Sequence, residues 1–244
     1  VIQKKRVDQQ QAFVLHTYPW RETSLIVEIF SRDHGRVALV AKGARRPMSA
    51  LRGVLMAFQP LLIDWSGGGE VKTLVRAEWQ GGLPLLTGRG LLCGYYLNEL
   101  LVRLSAREDP HPALFAAYSA ALHALARNMP LGPLLRRFEL ALLRELGYEV
   151  ALCDEAASGV PVDPDERYVY IIERGPVLLG QVDADSESGL PLLRGQTLLD
   201  MAGDEFDRPE TALQSKQLLR MLINHYLGGQ ILQSRRVLKE LQEL

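Results

Sequence analysis

Asp33-His34-Gly35-Arg36-Val37-Ala38-Leu39-Val40-Ala41-Lys42-Gly43-Ala44-Arg45-Arg46 reads as a turn, a strand and a basic loop in immediate succession. Asp-His-Gly is turn chemistry, and Arg36 to Ala41 carries the apolar run of a buried strand. Working outward, Ala12-Phe13-Val14-Leu15 opens one earlier strand and Ser24 to Phe30 gives a second. Gly53 to Trp65 holds two apolar runs, with Pro60 between them limiting their pairing. Gly67-Gly68-Gly69 is a flexible turn, and Glu70 to Trp79 returns as a further strand. Short strands joined by glycine-bearing turns, with almost no helical periodicity, predict a small barrel. Closure removes edges that would otherwise pair with other chains, and at this size an OB-type barrel over residues 1–80 is expected.

The basic loop stands out because the whole chain is close to neutral, with a net charge of -1 over 244 residues. Residues 1–80 hold 12 Lys and Arg against 7 Asp and Glu; the remainder holds 16 against 22. Lys42, Arg45 and Arg46 form a compact positive surface on a rigid base, and Arg21, Arg32, Arg36 and Arg52 lie in the same stretch. Cations gathered in this way suit a phosphate backbone. Ordinary surface variation is the competing reading of the charge counts alone.

Near Gly81-Gly82 the pattern changes. Leu91, Leu92, Tyr95, Leu97, Leu100, Leu101 and Leu104 recur at helical spacing. Pro110 and Pro112 mark a next helix running to about Arg127. Leu134, Leu135, Phe138, Leu142, Leu143 and Leu146 form another, closed by Gly147. Tyr168 to Ile172 and Pro176 to Leu179 pair as a hairpin through Glu173-Arg174-Gly175, within a distinct segment at about 151–195. Helices resume after Pro209, and Ser234 is placed to cap a last one. The expected fold class is α+β and multidomain: the barrel, then a mostly helical domain over 81–244.

No catalytic constellation emerges. GxxxxGK[ST], HExxH, GxSxG and dinucleotide glycine patterns are all missing, and His16, His34, His111, His123 and His225 stand singly. An enzyme is the weakest class, and no cofactor is implied. Cys93 and Cys153 make no disulfide framework and no zinc set, since structural zinc needs four closely grouped ligands. Asp183, Asp185 and Glu187 form an acidic run that could attract a divalent ion, but in a segment poor in structure-forming residues. With no membrane-length apolar run and a polar start at Val1 to Gln11, a cytoplasmic protein without a membrane partner is expected.

Two binding surfaces can be named. The first joins Lys42, Arg45, Arg46, Arg36, Arg21 and Arg52 to Trp20, whose ring beside Pro19 and Arg21 is placed to stack an unpaired base; Tyr18 shares that position. Phe13 and Phe30 alternate as barrel core. The second is Arg136-Arg137-Phe138-Glu139, a cationic island in a leucine-rich helix, suited to a peptide bearing carboxylates and a terminal aromatic residue. Solvated arginines balanced by Glu139 and Glu145 are the alternative.

These motifs, in order, resemble the bacterial recombination-mediator family RecO. The resemblance runs through Ala12-Phe13-Val14-Leu15-His16-Thr17, Glu22-Thr23-Ser24-Leu25, Gly35-Arg36-Val37 and Val40 to Arg45. It continues in Gly69 to Leu74, Tyr96-Leu97-Asn98-Glu99-Leu100-Leu101, Arg136 to Leu143, Leu146-Gly147-Tyr148, Ser158-Gly159, Tyr226-Leu227-Gly228-Gly229 and Leu238-Lys239. It implies an N-terminal OB fold and a helical domain with a small zinc-finger-like insertion. It implies binding of single- and double-stranded DNA, annealing of complementary strands, and loading of the RecA recombinase onto strands coated by single-strand-binding protein. It implies RecR and the acidic C-terminal tail of single-strand-binding protein as partners, and association with the nucleoid during repair. Lys42 and Arg45 match the family's basic loop; Arg136 and Arg137 match its helical block. Some members hold zinc with four cysteines in the insertion. Here only Cys153 stands there, so an insertion lacking zinc is expected.

Overall fold

A computed structural model describes residues 6–148, 150–181 and 190–242. Five strands open the chain: β1 (Arg6–Trp20), β2 (Ser24–Ser31), β3 (Gly35–Ala41), β4 (Pro60–Ser66) and β5 (Val71–Trp79), with a short helix α1 (Leu51–Val54) after β3. They pair in the order β1-β2-β3-β5-β4, and β4 pairs back to β1, so the ring closes. The seam between β3 and β5 is parallel and short, from Ala38↔Val71 to Val40↔Thr73. β1 is long enough to serve two neighbours, β4 with its first half and β2 with its second. Of the two apolar runs flanking Pro60, only the second is a strand. The first closes α1 and supplies Leu55 to the core.

Period-2 alternation sends Ala12, Val14, Val27, Ile29, Val37, Leu39, Leu61, Ile63 and Trp65 into the barrel. Phe13 and Phe30 fall on the opposite face, a correction to the sequence reading. They are buried from outside by Phe115 and Tyr118, with ring centroids 5.3–6.1 Å apart. Those two rings belong to α3 (Pro112–Ala126), which follows α2 (Gly88–Leu104). The strands β1 and β2 are therefore covered on both faces, a condition that alternation by itself does not reveal.

A bulge in β1 ties these helices to the sheet. Leu15 drops out of the β1–β2 register between Val14 and His16. Its carbonyl accepts the Asn98 side-chain amide at 2.8 Å, and the Tyr118 hydroxyl donates to Asn98 Oδ1 at 2.5 Å. All three groups are buried, so the chain of bonds satisfies what the bulge leaves open. The loop after α2 docks on the β2–β3 turn. Glu108 N–H donates to the Arg36 carbonyl at 2.9 Å, and a Cβ at Gly35 would lie 1.9 Å from the Asp109 carbonyl oxygen. Only glycine permits that approach, at a φ of 63°.

The chain divides into two compact units, residues 1–129 with 232–244, and residues 130–231. The barrel thus shares its unit with α2, α3 and the final helix α7 (Gln233–Gln242). The second unit holds α4 (Leu131–Glu145), β6 (Arg167–Ile171), β7 (Gly175–Leu178), β8 (Leu192–Arg194), α5 (Gly195–Ala202) and α6 (Pro209–Tyr226). Its strands form a sheet in the order β7-β6-β8. β6 and β7 are a hairpin turning at Glu173 and Gly175, both with positive φ. β8 and α5 escaped the sequence reading because each is too short to establish a period.

The expected fold class needs correction. No zinc-finger-like element is present among the described residues: no cluster of three or more His, Cys, Asp or Glu is arranged to hold a metal. By compactness, α2, α3 and α7 group with the barrel. The segment around Cys153 is instead a hydrogen-bonded loop. Val162 N–H donates to the Cys153 carbonyl at 2.7 Å, and Glu155 N–H to the Val160 carbonyl at 2.8 Å. The buried Glu155 carboxylate accepts from the Ser158 hydroxyl and the Leu178 backbone N–H. The run Asp183, Asp185, Glu187 lies outside the described residues.

Candidate nucleic-acid interface

The loop after β3 is held by its own backbone. Ala44 N–H donates to Ala41 O at 3.4 Å, Arg46 to Gly43 O at 3.1 Å, Ser49 to Arg46 O at 3.0 Å and Arg52 to Ser49 O at 3.2 Å. Gly43 turns with a φ of 69°, where a side chain is strained. Arg45 N–H crosses to the Thr23 carbonyl at 2.8 Å, and Arg45 Nη1 donates to the Arg21 carbonyl at 3.3 Å. The basic loop is thereby fastened to the β1–β2 turn, bringing together residues far apart in sequence. Arg21 also lies 6.0 Å from the Trp20 ring centroid, and Trp20 and Tyr18 are both exposed.

The pairing of charges separates two groups of cations in residues 6–79. Arg6, Arg32, Arg36, Lys72 and Arg76 each meet a carboxylate: Asp8, Asp33, Glu28, Glu108 and Glu78. Arg21, Lys42, Arg45, Arg46 and Arg52 meet none among the described residues, and all five are exposed. An internal ion pair cancels much of a cation's field, so the unpaired five dominate the potential at this end of the barrel.

Arg36 does not join them. It stands at the other end of β3 from Lys42, its side chain only 14% exposed, with Nη1 3.4 Å from Glu28 and Nη2 3.0 Å from the Ser105 carbonyl. Arg107 approaches the same Glu28 carboxylate. Arg36 and Arg107 neutralise a buried acid, so Arg36 is a structural residue. The Arg136-Arg137 island also separates. Arg136 is buried and pairs with Glu139 at 2.8 Å, while Arg137 is exposed, binds Asp204 at 2.8 Å and lies over the Phe206 ring. The two guanidinium groups do not form a shared rim.

Two family models match the chain, Recombination protein O N terminal over residues 6–82 and Recombination protein O C terminal over residues 86–236. Together they cover nearly all of it. The chain belongs to the RecO family. A DNA repair protein RecO from Aromatoleum aromaticum is 75% identical over 242 residues, spanning 99% of both chains. One from an Azoarcus species is 68% identical over 241 residues, again 99% of each. One from Dechloromonas aromatica is 54% identical over 245 residues, 99% of each.

RecO proteins are non-catalytic mediators of DNA repair and recombination that work on single-stranded DNA, and this chain is one of them. The basic end of the barrel unit is its candidate DNA face. No helix among the described residues is long and apolar enough to cross a membrane. The sequence reading missed the apolar companions of the cations. Leu25, Ala44, Leu51 and Leu55 line a groove with Arg45 and Arg52. Leu25 comes from β2 and the others from beyond β3, so no local motif marks them as neighbours.

Proposed function

We propose that this RecO protein anneals complementary single strands and helps load the recombinase onto strands coated by single-strand-binding protein. The supporting observation is the convergence of Arg21, Lys42, Arg45, Arg46 and Arg52, all without a carboxylate partner among the described residues, at one end of the barrel. Annealing needs no covalent chemistry. Two strands repel through their phosphates, and a cationic face lowers that repulsion while concentrating both strands. Contacts of this kind grip the backbone without reading bases, so the product duplex can leave or be tolerated. Single- and double-stranded DNA are both ligands under this reading. RecR, the tail of single-strand-binding protein and RecA are its proposed partners, as the family resemblance implies.

The test replaces Lys42, Arg45 and Arg46 together with alanine. Affinity for a fluorescent single strand and the annealing rate of complementary oligonucleotides should both fall at low salt. Unchanged affinity with an unchanged salt dependence would remove this face from the mechanism. For the protein partner, a titration with an acidic, phenylalanine-ending peptide decides whether the chain binds such a tail at all.

A further inference from the structure

The loop that gathers the cations also builds an apolar recess. Ala44 is fully buried and Leu55 nearly so, and with Leu25 and Leu51 they line a groove of about 360 Å³. Arg45 and Arg52 line the same groove, and its lining includes no carboxylate. Aliphatic walls joined to unpaired cations fit a ligand carrying negative charge and a flat apolar surface together. A nucleotide of a single strand carries both in one repeat. In a duplex the base faces are covered by their neighbours, and exposing one costs unstacking.

We propose that this groove receives one base of a single strand while Arg45 and Arg52 hold the flanking phosphates, so that the basic end prefers unpaired to paired DNA. The proposal rests on the reading of that end as the DNA face. Arg45 and Arg52 line the groove, and Lys42, Arg46 and Arg21 add unpaired charge on the same loop and the turn it bonds to, which favours a polyanion with regularly repeated charge over a short acidic peptide. Guanidinium planes stack on bases as well as pairing with phosphates, so Arg45 can serve both ends of the nucleotide. Its position is already set by the bond from Nη1 to the Arg21 carbonyl.

The experiment compares the full chain's affinity for oligothymidylate with that for an abasic strand of equal length, across a salt series. The phosphates match and only the bases differ. The base-bearing strand should bind roughly tenfold tighter or more. Leu51→Gln, at a half-buried position, should bring that ratio close to one while leaving the salt slope intact. Arg45→Gln with Arg52→Gln should flatten the slope for both strands. Equal wild-type affinities for the two strands would overturn the proposal without requiring any variant. A preference persisting in Leu51→Gln would also overturn it, assigning the base contact to Trp20 on the neighbouring turn. If the Lys42, Arg45, Arg46 triple alanine variant binds both strands like the wild type, the DNA face itself is misplaced and the groove falls with it.

Discussion

Arg21 sits in the left-handed region, with a φ of 51°, at a turn where glycine or asparagine would be unstrained. A long cation there is a poor choice for folding and a good one for projecting charge from a turn. Arg21→Gly should keep the fold, leaving stability unchanged or raised by up to about 1 kcal/mol, and weaken single-strand binding. Chemical denaturation beside a binding titration checks both halves; a destabilised variant with full affinity would refute this account. Arg36 makes the opposite case. Removing it leaves the buried Glu28 carboxylate with Arg107 as its remaining cation. Arg36→Ala should cost about 3 kcal/mol of stability, the lower end for breaking a buried pair, because Arg107 persists. Its salt slope for DNA should match the wild type. Arg36 and Arg45 read alike in sequence, and only their partners distinguish them.

Among the elements, α7 is fastened by an acid from α2. Glu99 accepts the Gln233 and Ser234 backbone N–H groups, each at 2.9 Å, and the Ser234 hydroxyl at 2.7 Å. The cap predicted for Ser234 therefore involves a distant carboxylate, which also favours the positive end of the helix dipole. Burial opposes the charged form of Glu99, but the bonds from Ser234 and Gln233 and the nearby Arg103 outweigh it. They hold the carboxyl below its ordinary value of 4.5. A depressed folded value means that the stabilisation is complete above 4.5 and disappears as pH falls through the folded value. The protection factors of the α7 amides, measured against unstructured-chain exchange at each pH, should fall as the solution is acidified below 4.5, while Glu99→Gln should show lower protection at neutral pH with less dependence on acid. Protection in α7 that stays constant through this range would show that Glu99 does not anchor it. The bulge at Leu15 is the companion device, since Asn98 next to Glu99 satisfies the sheet while Glu99 satisfies the helix.

At the scale of the whole molecule, net charge is a poor guide to function. The chain carries -1 overall, yet one end of one unit holds five cations without partners among the described residues. Each single-strand phosphate neutralised contributes about 0.7 to the slope of log affinity against log salt, so removing Lys42, Arg45 and Arg46 together should reduce that slope by about 2. Arg32→Ala, which removes a cation already facing Asp33, should leave it nearly unchanged. Equal slopes for the triple variant and the wild type would mean that these side chains meet no phosphate. The loop at Cys153 is likewise a property of the surrounding unit. Its fastening comes from Glu155, Ser158 and the backbone of β7, so a chelator should leave its thermal midpoint unmoved.

Local chemistry in the sequence determined the strands, the long helices, the hairpin at Glu173-Arg174-Gly175 and the position of the basic loop. Alternation, periodicity and turn residues act over a few neighbours, so these features were legible before any fold was known. Tertiary structure decided which cations remain unpaired, because pairing depends on acids such as Glu28 and Glu108 that reach them from other elements. It also turned Phe13 and Phe30 outward under α3, placed α2 and α7 with the barrel, buried Arg136, and set Leu25 beside Arg52. A side chain's type is written in its own codon, but its field and its burial belong to whatever the rest of the chain brings against it.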